Sequence, residues 1–256
     1  MLNDKTAEDS SLAYLDPEFL ASDDARPLRI IAEYLNPLRH LRLQRIHDTI
    51  VFFGSARLSQ DGPLGHFYDE ARELARLITA WSQTLPSKVH RFVICSGGGG
   101  GIMEAANRGA RDAGGRTIGL NISLPHEQQP NAFVTRDLLF KFRYFFMRKL
   151  WFAHLARAMV VFPGGFGTLD ELMEVLTLAQ TGKLARRLPV ILYGSSYWHE
   201  IINFEALMRH GMISREDLKL FAFADDPDSA FKLLQDAIEL DTPEKTPAFA
   251  ASRCRE

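Results

Sequence analysis

Residues 158–171 read Ala158-Met159-Val160-Val161-Phe162-Pro163-Gly164-Gly165-Phe166-Gly167-Thr168-Leu169-Asp170-Glu171, and this stretch decides the fold. Its apolar half has the length and continuity of a strand buried on both faces. Pro163 and the glycines end that run, and over 169–181 apolar residues recur three and four apart, as on one face of a helix. Working outward, the same order repeats. Apolar runs stand at 50–53, 92–95, 117–120 and 190–193, and helix-like stretches at 67–85, 102–113, 145–156 and 197–208. Strand, loop and helix in alternation predict a parallel sheet covered on both faces. With right-handed crossovers this is an α/β fold, a Rossmann-like doubly wound parallel sheet.

The 256 residues are 46% apolar and 24% charged, with 18 Gly and 12 Pro, a composition that excludes disordered and collagen-like chains. Thirty basic against 32 acidic residues leave a net charge of −2, so no global field points to nucleic acid. Two cysteines, Cys95 and Cys254, fit a reducing compartment and exclude a disulfide framework. The start, MLNDKTAEDSSLAYLD, is acidic and polar rather than signal-like, and no apolar run is long enough to span a membrane. The expectation is a cytoplasmic, soluble protein with no membrane or nucleic-acid partner. The eight histidines show no metal-ligand spacing, so neither a metal nor a resident cofactor is expected. Residues 1–46 read as a polar leader followed by an N-terminal helix over 27–45. Residues 47–240 form the single domain, and 241–256 a mobile tail.

In a doubly wound sheet, ligands bind beyond the carboxyl ends of the strands, and three small-residue loops fall there. After the first strand come Gly54, Ser55 and Arg57: a close backbone approach, a hydroxyl and a cation. An ordinary turn explains them equally well. After the second strand, Ser96 precedes five consecutive glycines, Gly97 to Gly101. One or two suffice for a turn, whereas a longer run, including Gly98, Gly99 and Gly100, lets backbone amides converge on a phosphate at a helix start. No acidic residue closes a strand about 20 residues on, as the dinucleotide fingerprint requires, and no Gly-Lys-Ser/Thr ending marks a P-loop. The third loop holds Gly164, Gly165, Gly167 and Thr168. A purely structural account makes Thr168 the helix cap and Glu171 its capping-box partner. A functional account has the glycine amides and the Thr168 hydroxyl hold a phosphate while Glu171 faces the bound molecule.

At this loop the chain resembles the Lonely Guy (LOG) family, once mislabelled as lysine decarboxylases. Residues 163–171 match its Pro-Gly-Gly-x-Gly-Thr-x-x-Glu signature, and Arg148-Lys149 match the Arg-Lys pair upstream of it. Gly-Ser after the first strand and Gly-Ile-Met-Glu-Ala-Ala after the glycine run, which includes Met103, also fit. The resemblance covers roughly 47–240. It implies a phosphoribohydrolase that cuts the N-glycosidic bond of nucleoside 5′-monophosphates, AMP or N6-modified AMP (cytokinin nucleotides), releasing base and ribose 5-phosphate. It makes Arg148 and Glu171 the catalytic pair, and places Glu127, Lys149, the stretch 165–171 and Thr177 at the substrate. It also implies a homo-oligomer with residues of neighbouring chains near each site. Relative to the short members, this chain has a long N-terminal part and a longer segment between Glu127 and Arg148.

The chemistry agrees with these residue types. Glycosidic cleavage passes through an oxocarbenium-like state that a carboxylate such as Glu171 stabilises. Arg148, with a pKa above about 12, positions and stabilises charge but is no general acid. Asp170 and Glu104 are candidate helpers, or solvated carboxylates at helix starts. Lys141, Arg143 and Arg157 read as a solvated helix face. Phe140, Phe142, Tyr144, Phe145, Phe146, Trp151 and Phe152 exceed what one helix face can bury on a sheet, so the stretch 140–152 is expected between subunits of at least a dimer. The alternative function is a non-catalytic nucleotide- or molybdenum-cofactor-binding protein of the same fold. A pyridoxal-phosphate lysine decarboxylase is disfavoured, since no lysine stands in a Schiff-base context.

Overall fold

The computed structural model describes residues 12–123, 129–184 and 187–238. Strands β1 (Thr49–Phe53), β2 (Val93–Ser96), β3 (Thr117–Ile122), β4 (Leu139–Phe142), β5 (Ala156–Val161), β6 (Val190–Tyr193) and β7 (Phe221–Ala224) form one sheet in the order β4-β3-β2-β1-β5-β6-β7. Every neighbouring pair is parallel. The helices are α1 (Pro17–Ala21), α2 (Arg26–Leu43), α3 (His66–Thr84), α4 (Ile102–Asp112), α5 (Phe145–His154), α6 (Phe166–Gln180), α7 (Ser195–Ile201), α8 (Phe204–Arg209) and α9 (Pro227–Ala237).

Successive side chains of a strand point to opposite faces, and β1 is buried along its whole length because both faces are covered. Ile50 and Phe52 join Leu74 and Ile78 of α3, Ile102 of α4 and Leu234 of α9. Val51 and Phe53 join Trp151 and Phe152 of α5 and Leu172 and Val175 of α6. From β1 the chain builds outward through β2, β3 and β4, then returns to the other side of β1 with β5, β6 and β7. The loops after β1 and β5 therefore diverge to opposite faces, which opens a crevice between them. Across it the Ser55 amide donates to Pro163 O at 2.9 Å.

The sequence pattern misses β4, β7 and α9. In β4, Phe140 and Phe142 are buried while Leu139 and Lys141 face outward, so this edge strand alternates. That changes the expected interface. Phe140, Phe142, Trp151 and Phe152 are core residues of this chain, and Phe145 and Phe146 are the aromatics of the stretch that stay exposed. Arg157, read as part of a solvated helix face, is instead buried in β5. The helix expected over 197–208 is two, α7 and α8, because the Asn203 side chain accepts from Ala206 N at 2.8 Å and starts a new helix there.

The N-terminal helix lies against α5. The Glu33 carboxylate accepts from Arg143 N at 2.7 Å and Tyr144 N at 3.2 Å, holding the backbone just ahead of α5, and Trp151 Nε1 donates to Glu33 O at 3.1 Å. Within the expected leader, Ala13–Leu15 form a 3-10 turn. Residues 1–11 and the expected tail lie outside the described residues. Among the described residues no helix is long and apolar enough to cross a membrane.

Candidate active site

α6 starts at Phe166, earlier than its apolar periodicity suggests. Gly165 is its cap, and the amides of Thr168 and Leu169 both donate to Gly165 O at 3.0 Å. Thr168 thus lies inside the first turn, and no side chain caps the helix. The capping box of Thr168 and Glu171 does not form. Both residues are instead on the buried side of the helix, each 7% exposed. The glycines of this loop divide into two kinds. A Cβ on Gly164 would lie 2.1 Å from Thr168 Oγ1 and 3.0 Å from Ser55 N, so packing demands glycine there. On Gly165 or Gly167 a Cβ would meet nothing within 4 Å. Packing within the chain does not ask for glycine at either, although glycine inside a helix is less stable than alanine by about 1 kcal/mol. Bare backbone facing open space at a helix start suits a ligand that approaches the amides closely.

The glycine run has a different logic. A Cβ on Gly97 would fall 2.6 Å from Arg148 Nη2 and 2.7 Å from Met103 Sδ. On Gly101, at φ +63°, it would fall 2.2 Å from Ser55 O. These glycines let Arg148 and the loop after β1 close onto the loop after β2. Gly98 O accepts from Asn131 N and Gly99 O from Asn131 Nδ2, both at 2.8 Å, and Gly100 lies beside Ala56 O. A buried polar network underneath fixes the loop. Ser96 Oγ accepts from Gly98 N at 3.0 Å and donates to Asn107 Oδ1 at 2.8 Å. Asn131 Nδ2 donates to the same Oδ1 at 2.9 Å, and Asn107 Nδ2 donates to Thr117 Oγ1. Asn107 and Asn131 were not singled out from sequence. The available signal was an asparagine on the apolar face of α4.

Arg148, on α5, donates from Nε to Leu120 O at 2.8 Å, with its guanidinium 5.1 Å from the Phe152 ring centre. Burial lowers its pKa, an effect that Glu171 opposes. Burial pushes the Glu171 carboxyl up to about 7, against the pull of Arg148 and Lys149, while Glu174 and Asp170 add to the rise. Near neutrality Glu171 therefore exchanges its proton readily, as a general base should. Lys149 Nζ lies 2.8 Å from Asp170 Oδ1 and 2.7 Å from Glu174 Oε2. Glu104 accepts from Tyr68 Oη at 2.8 Å, and Asp170 is held by Lys149, so both candidate helpers have partners. Ser55 lines a cleft of about 380 Å³ with Arg57, Leu64, Gly164, Gly165 and Tyr197, whose hydroxyl donates to Gly164 O at 2.8 Å. The fold thus brings together Gly54, Ser55, Gly98 to Gly100, Met103, Arg148, Lys149, Gly164, Gly165, Gly167, Thr168 and Glu171. Thr177 stands apart. It is exposed, donates to Met173 O at 2.7 Å, and lines a separate groove with Phe204 and Leu207. Glu127 lies outside the described residues. No group of three or more His, Cys, Asp or Glu among the described residues could hold a metal ion.

Residues 103–234 match the family described as "Possible lysine decarboxylase". The chain is 29% identical over 153 residues to the "Probable cytokinin riboside 5'-monophosphate phosphoribohydrolase LOG4" of Oryza sativa subsp. japonica, covering 57% of this chain and 63% of that protein. It is 31% identical over 144 residues to the "Cytokinin riboside 5'-monophosphate phosphoribohydrolase LOG" of the same organism, covering 55% and 53%. The match thus spans less than two thirds of either relative. Among solved structures, the molybdenum cofactor binding protein of the phototrophic bacterium Rippkaea orientalis aligns with TM-score 0.50 and 22% identity, covering 76% of this chain and 99% of that one. At that identity the likeness is one of fold.

Proposed function

The chain belongs to the Lonely Guy (LOG) family, and on that premise we propose that it hydrolyses the N-glycosidic bond of nucleoside 5′-monophosphates. The products are a free base and ribose 5-phosphate, with AMP or N6-modified AMP, the cytokinin nucleotides, as substrates. The observation that carries this is Glu171: a buried carboxyl group within electrostatic reach of Arg148, on the helix whose start bares the backbone of Gly165 and Gly167. The phosphate would rest on the amides at the start of α6 and on Ser55, which turns the ribose towards Glu171. As C1′ loses the base, positive charge grows on the sugar and the Glu171 carboxylate stabilises it. Glu171 also takes a proton from water as the hydroxyl adds to C1′ and then returns it to solvent, while the departing base takes its proton from solvent water. Arg148 orients the ribose and Glu171.

A non-catalytic binder has no use for a carboxyl group buried at this point, whereas a hydrolase does. Incubation with a panel of nucleoside monophosphates separates the two readings. Release of base and ribose 5-phosphate from AMP, with adenosine left intact, is the expected result. Binding without release would favour the nucleotide- or molybdenum-cofactor-binding alternative. Assembly is part of the proposal. Phe145, Phe146 and Leu150 of α5 are 51%, 49% and 41% exposed, and a second copy would cover them. Light scattering at micromolar concentration should report at least a dimer, and a monomer would contradict it.

A further inference from the structure

We propose that Tyr197 is a positioning residue: its hydroxyl holds the Gly164–Gly165 peptide so that the Gly165 amide faces the phosphate. The proposal rests on the reading above that a phosphate sits at the start of α6. A trans peptide points its C=O and its N–H in opposite directions. Tyr197 Oη donates to Gly164 O at 2.8 Å, so the Gly165 N–H is turned away from Tyr197. The amides of Gly165, Phe166 and Gly167 open α6 and find no acceptor within the helix. Two adjacent glycines are poorly able to keep such a peptide in place, because neither carries a side chain that resists its rotation. A rotated peptide would present the Gly164 carbonyl oxygen to an anion instead of an N–H. The hydroxyl supplies the restraint that the glycines lack.

Tyr197 reaches the loop from a fixed base. Trp198 beside it is fully buried, and its Nε1 donates to Tyr193 O at 3.0 Å. The Asp225 carboxylate accepts from Ser195 N at 2.6 Å and from Ser195 Oγ at 2.8 Å, which ties the first residue of α7 to the chain leaving β7. From the other side, Ser55 N holds Pro163 O at 2.9 Å. The loop after β5 is thus gripped at two successive carbonyls, one from the end of β1 and one from beyond β6. Two successive amides, those of Gly164 and Gly165, are turned away from the groups that grip it.

The experiment compares the wild type with Tyr197→Phe, which keeps the ring against the cleft and removes the hydroxyl alone. Both are measured for AMP turnover, for thermal stability, and for binding of AMP, ribose 5-phosphate and adenine by calorimetry. In Tyr197→Phe, KM for AMP and the Kd of both phosphate compounds should rise by roughly three- to tenfold, the range of one neutral hydrogen bond. With Glu171 and Arg148 untouched, kcat should stay within about twofold, and adenine should bind as before. A general loosening of the site would lower kcat and weaken adenine as well, and that outcome overturns the proposal. An unchanged affinity for ribose 5-phosphate overturns it too. Should Tyr197→Phe fold poorly, wild type carrying ¹⁵N-labelled glycine gives a second measurement. The Gly165 amide signal, assigned by its loss in Gly165→Ala, should shift as inorganic phosphate is added, and an unmoved signal overturns the proposal. A wild type that binds AMP without cleaving it, together with the loss of phosphate affinity in Tyr197→Phe, overturns the hydrolase reading and supports the positioning role.

Discussion

At position 171 the folded chain binds a proton more tightly than the unfolded chain does, since its carboxyl pKa is raised from 4.5 to about 7. Between those values the native state holds the extra proton, so this group's contribution to stability is greatest at low pH and is lost as pH rises through 7. The shift corresponds to about 3 kcal/mol. Denaturation midpoints for the wild type should therefore decline between pH 5 and pH 7.5, and Glu171→Gln should remove most of that decline. Activity should run the opposite way, rising through pH 7 as the carboxylate forms, while Glu171→Gln lowers kcat by roughly a hundredfold or more with nucleotide binding kept. A variant that keeps near-normal turnover would sink the mechanism. Gly167 gives a second residue-scale test. With open space beside it, Gly167→Ala should stabilise the protein by about 0.5–1 kcal/mol and weaken AMP binding. Stabilisation with unchanged affinity would show that the bare backbone serves no ligand. Arg148 and Glu171 were legible in the sequence because fixed spacings mark them. The capping box of Thr168 and Glu171, the structural alternative that the sequence left open, does not form, since Gly165 caps the helix with its backbone alone and leaves no side-chain signature. The partners of Lys149 were not legible, because they come from a different helix.

Among the elements, the central strands β1, β5 and β6 were readable because burial on both faces makes a parallel strand continuously apolar. β4 alternates at one edge of the sheet inside an aromatic-rich run, and β7, Phe-Ala-Phe-Ala at the other edge, is mostly half-buried, so neither stands out as a continuous core run. The amino-terminal end of β1 supplies a contrast to the site. Asp48 is 0% exposed and accepts from Arg91 Nε and Nη2 at 3.0 and 2.8 Å and from Phe92 N at 2.6 Å, with His47 Nδ1 at 3.0 Å. Burial alone would raise its pKa, but these hydrogen bonds outweigh burial and hold it below the usual range. Its contribution is therefore present at neutral pH and lost on acidification. Asp48→Ala should destabilise the protein by about 2–3 kcal/mol, since the buried Phe92 amide and the half-buried Arg91 lose their acceptor. Turnover per folded molecule should stay near normal. Lost turnover at full stability would mean that this end of the sheet communicates with the site.

For the molecule as a whole, the order β4-β3-β2-β1-β5-β6-β7 puts the reversal between β1 and β5, and the loops that follow those two strands meet there. The extension before β1 is tied into the same arrangement, since Glu33 holds the backbone that leads into the helix carrying Arg148 and Lys149. That tie was invisible in the sequence, where residues 1–46 read as an appendage. The pairing of β1 with β5 also has a consequence in time. Ile50 registers with Ala158, so the innermost strand waits for a partner more than a hundred residues downstream. Contacts of such sequence separation form slowly, because the long loop must close before they can reward it. On a ribosome adding about 5–20 residues per second, β1 stays one-sided for several seconds after it emerges. Ligand competence should then arrive with closure of the sheet and not before it. In stopped-flow refolding, recovery of AMP binding should share its rate constant with the slowest tryptophan-fluorescence phase. AMP binding that recovers ahead of that phase would mean the crevice assembles without β5 in place.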